Sequence, residues 1–288
     1  MNFKIYKNIT RKFFIPILIL FFTLSSNKTF GQKFIDTLTI PSQSMQKTYK
    51  ALIFLPNNYY TSKKEFPVLY LLHGYTGYYN NWYKREPKLK EYATQYQMII
   101  VTPEGTYDSW YLDSPINHKL QFETYIGKEV PEWIDTHYKT IKDRQHRAIS
   151  GLSMGGHGAL TIAADYPEIF GAASSISGVL DLRPFANKYR LAQKLGKYTK
   201  FPKRWYQTSF IGKIDKIQKN SLTLMIDCGI DDPFYKVNKK VHKKLLKKDL
   251  AHDFIIRPGK HNWKYWKNAL MYHLLFFNKY FYSKPTSK

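Results

Sequence analysis

Apolar residues in this chain fall mostly in short unbroken runs rather than in alternation with polar ones. "FPVLYLLHG" (66–74), "MIIVTPEG" (98–105) and "LTLMIDCG" (222–229) are near-continuous. Such runs suit strands covered on both faces, as in a parallel sheet. "HRAISG" (146–151), the small-residue stretch "GAASSISG" (171–178) and "HDFIIRPG" (252–259) read as three further strands. Upstream, "DTLTIPSQSMQKTYKALIFLP" reads as two strands, over 34–42 and 47–55, joined by a polar connection. Between these strands the period changes. Residues 122–138 place Tyr125, Val130, Trp133, Ile134 and Tyr138 at helical spacing, and "SMGGHGALTIAADYP" reads as a helix up to Pro167. Residues 233–250 form a Lys-rich amphipathic pattern with Val237, Val241 and Leu245 on one stripe, and "HNWKYWKNALMYHLLFFNKYF" closes the chain as a helix. Alternating strands and helices predict an α/β fold with a mostly parallel central sheet and an antiparallel entry hairpin.

Two segments depart from this rhythm. Residues 182–219 carry Pro184, Gly196, Pro202 and Gly212 with short apolar patches between them. They read as an irregular or helical insertion after a strand end, where a lid or pocket wall would sit. The first 31 residues run from basic (Lys4, Lys7, Arg11, Lys12) through the apolar "FFIPILILFFTL" (13–24) to the small-polar "SSNKTFGQ". That is the layout of a secretory signal peptide. Its twelve-residue run falls short of the roughly 20 residues a membrane-crossing helix needs. Cleavage is expected between Gly31 and Gln32, with an uncleaved N-terminal anchor as the alternative. The rest, 32–288, shows no internal repeat and no linker and reads as one domain. The expected location is the periplasm or the exterior of a bacterial cell, with no stable membrane insertion once the signal is removed. The only cysteine, Cys228, is too far downstream to carry a lipid anchor and allows no internal disulfide.

Charge alters the picture less than its size suggests. The formal net charge is +24, and removing residues 1–31 takes away five basic residues and no acid, leaving +19. An affinity for acidic polymers would follow from such a charge. However, 37 of the 45 basic residues are lysines, they are scattered, and no nucleic-acid motif accompanies them. Recognition of bases and phosphates favours arginine, so no nucleic-acid partner is expected. No metal-ligand spacing or Gly-rich phosphate loop is present, so neither a metal nor another cofactor is expected. Nothing in the sequence fixes an oligomeric state.

The chemistry centres on Gly151-Leu152-Ser153-Met154-Gly155. Gly-x-Ser-x-Gly alone is a common accident. Its meaning depends on a strand before it and a helix after it, and both are predicted here. Ser153 would then sit on a strained turn with its hydroxyl exposed, and the Met154 N–H would lie at a helix start where the dipole favours developing negative charge. A second oxyanion donor is expected from the loop after an earlier strand. Tyr75 N–H, after His73-Gly74, has that placement, with His73 read as a structural residue tying down the loop. In such a fold the acid and then the base follow the serine. "LMIDCGIDDPFY" offers Asp227 inside a strand and Asp231 and Asp232 just past its end. Asp232 is preferred, with Asp231 as the alternative. Of the downstream histidines, only His261 follows a strand-ending loop and precedes a helix. His261 is therefore the expected base for Ser153, and Asp232 the group that fixes its tautomer. His157, one turn after Ser153, is expected to be packed and hydrogen-bonded.

These stretches resemble the "putative esterase", or esterase D, family of α/β-hydrolases. The family includes feruloyl and acetyl xylan esterases, tributyrin-type esterases, S-formylglutathione hydrolases and mycolyltransferases. The matching segments are "FPVLYLLHGYTGYYNNW", "SWYLDSP", "FETYIGKEVPEWID", "RAISGLSMGGHGAL", "YPEIFGAASSISGVLDL", "IDCGIDDPFY" and "PGKHNWKYW", which span residues 66–266. The resemblance implies an α/β-hydrolase fold, with helices on both faces of the sheet. The family's Cys-Gly-x-x-Asp falls on Cys228 to Asp232, and its Gly-x-His-x-Trp histidine on His261. It implies a serine esterase acting on short-chain or polysaccharide-linked acyl esters. The alternatives are an acyltransferase on the same triad or a thioesterase like the S-formylglutathione hydrolases. Trp110 and Asp113 of "SWYLDSP" would line the substrate pocket or brace its loop.

Overall fold

The computed structural model describes residues 33–282, and Met1 apart from them. Residues 2–31 of the expected signal segment, and its cleavage point, lie outside the described residues. Eight strands form one sheet: β1 (Ile35–Ser42), β2 (Lys47–Phe54), β3 (Val68–Leu72), β4 (Ile99–Pro103), β5 (Arg147–Gly151), β6 (Ala172–Ile176), β7 (Thr223–Gly229) and β8 (Asp253–Arg257). Their order across the sheet is β1-β2-β4-β3-β5-β6-β7-β8. β2 runs antiparallel to both its neighbours, and every other adjacent pair is parallel. The α/β-hydrolase architecture with an antiparallel N-terminal hairpin is thus observed.

The helices are α1 (Asn81–Arg85), α2 (Leu89–Gln95), α3 (Phe122–Thr124), α4 (Val130–His137), α5 (Met154–Asp165), α6 (Ala192–Leu195), α7 (Pro202–Thr208), α8 (Phe210–Lys213), α9 (Tyr235–Lys247) and α10 (Trp263–Tyr282). A π turn at Tyr125–Glu129 joins α3 to α4 within the segment expected to be one helix. α1 and α2, between β3 and β4, extend the sequence-based picture.

Every residue of β3, β4, β5 and β6 is buried. Successive side chains serve opposite faces. Val68, Tyr70 and Leu72 join the core beneath α4, α5 and α9, whereas Leu69 and Leu71 join the core beneath α1, α2 and α10. This explains the unbroken apolar runs, since neither sheet face meets water. β8, at the edge, is partly exposed. Among the described residues no helix is long and apolar enough to cross a membrane.

The strand order positions the site. From β3 the chain moves outward to β4, then returns to the other side of β3 to form β5. The loops after β3 and β5 therefore diverge at the C-terminal edge of the sheet, where open α/β sheets bind ligands. The segment expected as an insertion consists of short helical turns, and Leu182, Leu191, Leu195, Trp205, Phe210 and Ile214 place it in the core.

Candidate active site

β5 ends in Gly151, and α5 begins at Met154. Only two residues make the turn, and Ser153 takes φ 55° and ψ −115°. That backbone is costly for a residue with a side chain, of order 1–3 kcal/mol, and persists where its surroundings over-determine it. The Ser153 N–H donates to the Ile176 carbonyl at 2.9 Å, and its own carbonyl accepts from the His157 N–H. Gly155 is required by proximity: a Cβ there would lie 2.5 Å from the His73 carbonyl oxygen and 2.6 Å from that of Leu72. α5 can therefore start directly against the end of β3.

The acid and base loops follow β7 and β8, and backbone hydrogen bonds tie them together. The Ile230 N–H donates to the Arg257 carbonyl, and the Asp231 N–H to that of Gly259, both at 3.0 Å. Asp232 is buried, with its Oδ1 accepting from the Phe234 N–H at 2.8 Å. Its Oδ2 lies 2.8 Å from His261 Nδ1, and His261 Nε2 lies 3.0 Å from Ser153 Oγ. An ionised carboxylate only accepts hydrogen bonds, so Nδ1 carries the proton and the Nε2 lone pair faces the serine hydroxyl. The structure thus brings Ser153, His261 and Asp232 into one chain, while Asp231 is exposed.

Among the described residues, neither the Tyr75 N–H nor the Met154 N–H has an acceptor within the protein. Gly74, one residue before Tyr75, is so near the serine that a Cβ on it would lie 3.5 Å from Ser153 Cβ. His73 holds this loop from behind. Its Nδ1 donates to the Gly74 carbonyl (2.8 Å), and its Nε2 accepts from the Gly105 N–H (2.9 Å). The same Nε2 lies 3.4 Å from Glu104 Oε1. The Glu104 carboxylate also accepts from the N–H groups of Tyr79 and Thr106.

A cleft of 590 Å³ opens over the serine, lined among others by Tyr75, Trp110, Ser153, Tyr189, Phe234 and His261. Trp110 sits in its wall, and the indole N–H donates to the Tyr189 carbonyl at 3.1 Å. Asp113 is not brought to the cleft. Both its oxygens are taken by Thr124, through the N–H (3.0 Å) and the hydroxyl (2.5 Å), at the end of α3. Of the two roles weighed for this pair, lining fits Trp110 and bracing fits Asp113. His157 also departs from expectation. It is fully buried beside Trp110 (ring centroids 5.9 Å apart), but neither ring nitrogen has a hydrogen-bond partner among the described residues. Burial, and secondarily the charge of Lys213, pushes its pKa down to about 3, so it is neutral. Burial likewise raises the Cys228 thiol, which leaves that sulfur unreactive. Asp227 is buried within the sheet, bonded by the Tyr265 hydroxyl (2.5 Å) and the Arg257 guanidinium. Sequence reasoning missed Phe234, Trp263, Trp266 and Arg85 as cleft residues. The aromatic "NWKYW" directly after His261 was the available signal for two of them. Among the described residues no cluster of three or more His, Cys, Asp or Glu is placed to hold a metal ion.

A parallel-centred sheet with a serine on the β5–α5 turn and an acid and a histidine on later strand ends defines an α/β-hydrolase. The family model described as "Putative esterase" matches residues 42–277, and the chain belongs to that family. It is similar to an esterase of Mycobacterium tuberculosis, 35% identical over 136 residues, a match covering 46% of this chain and 29% of that relative. The chain thus spans less than a third of the length of that relative. An acetyl esterase of Caldicellulosiruptor saccharolyticus is 27% identical over 217 residues, covering 70% of this chain and 80% of the relative. Among solved structures, a ferulic acid esterase superposes with a TM-score of 0.73 at 28% identity, covering 86% of this chain and 98% of the other.

Proposed function

We propose that the protein is an exported serine carboxylic ester hydrolase acting on short-chain or aromatic acyl esters, including those carried by polysaccharides. The hydrogen-bonded chain from Ser153 through His261 to Asp232 carries the reading. His261 Nε2 takes the proton of Ser153 Oγ as that oxygen attacks the ester carbonyl. The Asp232 carboxylate stabilises the imidazolium that results. The Tyr75 and Met154 N–H groups stabilise the oxyanion of the tetrahedral intermediate, each worth about 3 kcal/mol at the transition state. Collapse expels the alcohol, protonated by His261, and leaves an acyl-Ser153 ester. Water activated by the same histidine then releases the acid.

The similarity to an acetyl esterase and a ferulic acid esterase supports this substrate range, and the aromatic lining of the cleft is suited to a flat acyl group or a sugar face. The test is hydrolysis of p-nitrophenyl acetate and methyl ferulate by the 32–288 protein. Turnover abolished in Ser153→Ala supports the proposal, and unchanged turnover overturns it. Export is proposed from the N-terminal pattern alone. A secreted or periplasmic product whose first residue is Gln32 would support it, and a product retaining residue 1 would count against cleavage.

A further inference from the structure

Two aromatic groups line the Ser153 cleft, and the His261 ring touches both. On one side Tyr75, Trp110, Tyr189 and Phe234 lie ring against ring, and Phe234 meets His261 at 4.8 Å between centroids. On the other side Trp266 meets His261, also at 4.8 Å. From there the contacts run outward: Trp266 to Trp263 at 5.3 Å, and Trp263 to the Arg85 guanidinium at 5.9 Å. Three ring contacts therefore connect the histidine to an arginine on the cleft rim.

Arg85 differs from the many lysines of this basic chain. The cleft is lined by no Asp, Glu or Lys among the described residues, so Arg85 brings the one permanent charge to it. Its guanidinium makes no hydrogen bond and no ion pair among the described residues. The nearest acids in sequence and site are engaged elsewhere. Glu86 is buried against Lys267 at 3.5 Å, and Asp232 is bonded to His261 and Phe234. Arg85 is exposed, but the helix that carries it is anchored. Arg85 ends α1, which Trp82 pins to the core by donating its indole N–H to the Leu72 carbonyl (2.9 Å) and packing on Trp263 (5.3 Å). A guanidinium laid over an indole keeps its N–H fork free for a planar anion, and a carboxylate matches that fork with two parallel hydrogen bonds.

We infer that the half of the substrate lying along Trp266 and Trp263 carries a carboxylate, and that Arg85 is the specificity-determining residue that binds it. This deepens, and rests on, the serine-esterase reading. An acylated acidic sugar fits the surroundings, with its ring on the tryptophan face, its hydroxyls near Asn81 and Asn262, and its carboxylate on Arg85. An acyl group ending in a carboxylate presents the same chemistry from the other side of the ester bond.

The experiment compares kcat/KM for two pairs of esters. 4-Acetoxybenzoate against its methyl ester places the carboxylate on the alcohol half. p-Nitrophenyl hemisuccinate against p-nitrophenyl butyrate places it on the acyl half. In one pair the anionic-to-neutral ratio is expected to fall at least tenfold in Arg85→Gln, mainly through KM, and to recover partly in Arg85→Lys. The pair that responds identifies which half of the ester carries the charge. Lys243→Gln, on the exposed face of α9, is expected to leave both ratios unchanged, which separates local recognition from the general positive field. Neutral esters hydrolysed with ratios identical in wild type and Arg85→Gln would overturn this inference alone. No hydrolysis of any ester by the wild type would overturn the serine-esterase reading together with it.

Discussion

Replacing Asp232 with asparagine preserves the shape of the side chain and exchanges one carboxylate oxygen for an NH2 group. The structure determines which oxygen is lost. Oδ1 accepts from the Phe234 N–H at 2.8 Å, so the amide oxygen must stay there. The NH2 is then left facing His261 Nδ1, which now has to accept. The ring proton moves to Nε2, 3.0 Å from Ser153 Oγ, and the imidazole donates to the hydroxyl it should deprotonate. A triad histidine held in the wrong tautomer loses about 10⁴-fold in kcat, equivalent to about 5.4 kcal/mol of barrier at 1.36 kcal/mol per decade. Initial rates on p-nitrophenyl acetate at neutral pH read this directly. A thermal melt within a few degrees of wild type would show that the fold survives. Asp231→Asn, one residue away and exposed, is expected to stay within about twofold of wild type, as surface changes usually do. Asp232→Asn retaining a tenth or more of wild-type activity would refute the assignment of the acid. A large loss in Asp231→Asn would transfer the role to the neighbouring carboxylate.

Three further outcomes test the packing around this site. Gly155→Ala places a methyl against two backbone carbonyls, and overpacking of this kind costs about 1–3 kcal/mol. Its activity should fall more than its stability, because Ser153 and Met154 must shift together, and a variant with wild-type kinetics would refute the close approach. Replacing Asp227 with leucine leaves the Arg257 guanidinium and the Tyr265 hydroxyl without their shared acceptor. Breaking a buried pair in this way costs about 3–5 kcal/mol, a fall in melting temperature of roughly 10 °C, and a fall of under about 2 °C would contradict it. His157 is held neutral with its pKa at about 3, against about 6.5 unfolded. Between those values the unfolded chain binds a proton that the folded chain excludes, so stability drops as pH falls from 6.5 towards 3. His157→Leu should therefore lose about 2–3 kcal/mol less than wild type between pH 6.5 and 4.5 in urea titrations. Equal losses would show that His157 does not set that slope.

The strands were legible because covering both sheet faces leaves no polar alternation, and a run such as "VLYLL" between polar flanks suits a strand buried on both sides. α1 and α2 were hidden for the opposite reason. Residues 81–95 bury only Trp82, Glu86, Leu89, Tyr92 and Ala93 around a proline, too few for a recognisable stripe. The π turn at Tyr125–Glu129 shifts the phase of an otherwise regular helical pattern, and apolar spacing does not register a single extra residue. Trp110 and Asp113 show a different limit. Trp110 and Tyr111 both adopt positive φ (59° and 53°), which turns the backbone between a residue lining the cleft and one bonded to Thr124. Residue type carries no trace of that turn.

The acid illustrates how far position along the chain can go. Asp231 and Asp232 are adjacent, and both lie past the end of β7. What separates them is a pair of hydrogen bonds to different strand ends. The Asp231 N–H reaches across to Gly259 on the β8 side, whereas the Asp232 N–H turns back to Gly229. The first bond places the histidine loop beside the acid loop, and the second folds Asp232 inward so that one oxygen meets Phe234 and the other His261. Strand ends are written in the local sequence. The direction of a side chain beyond them is set by bonds between loops some 30 residues apart, and it becomes visible only once those loops are seen together.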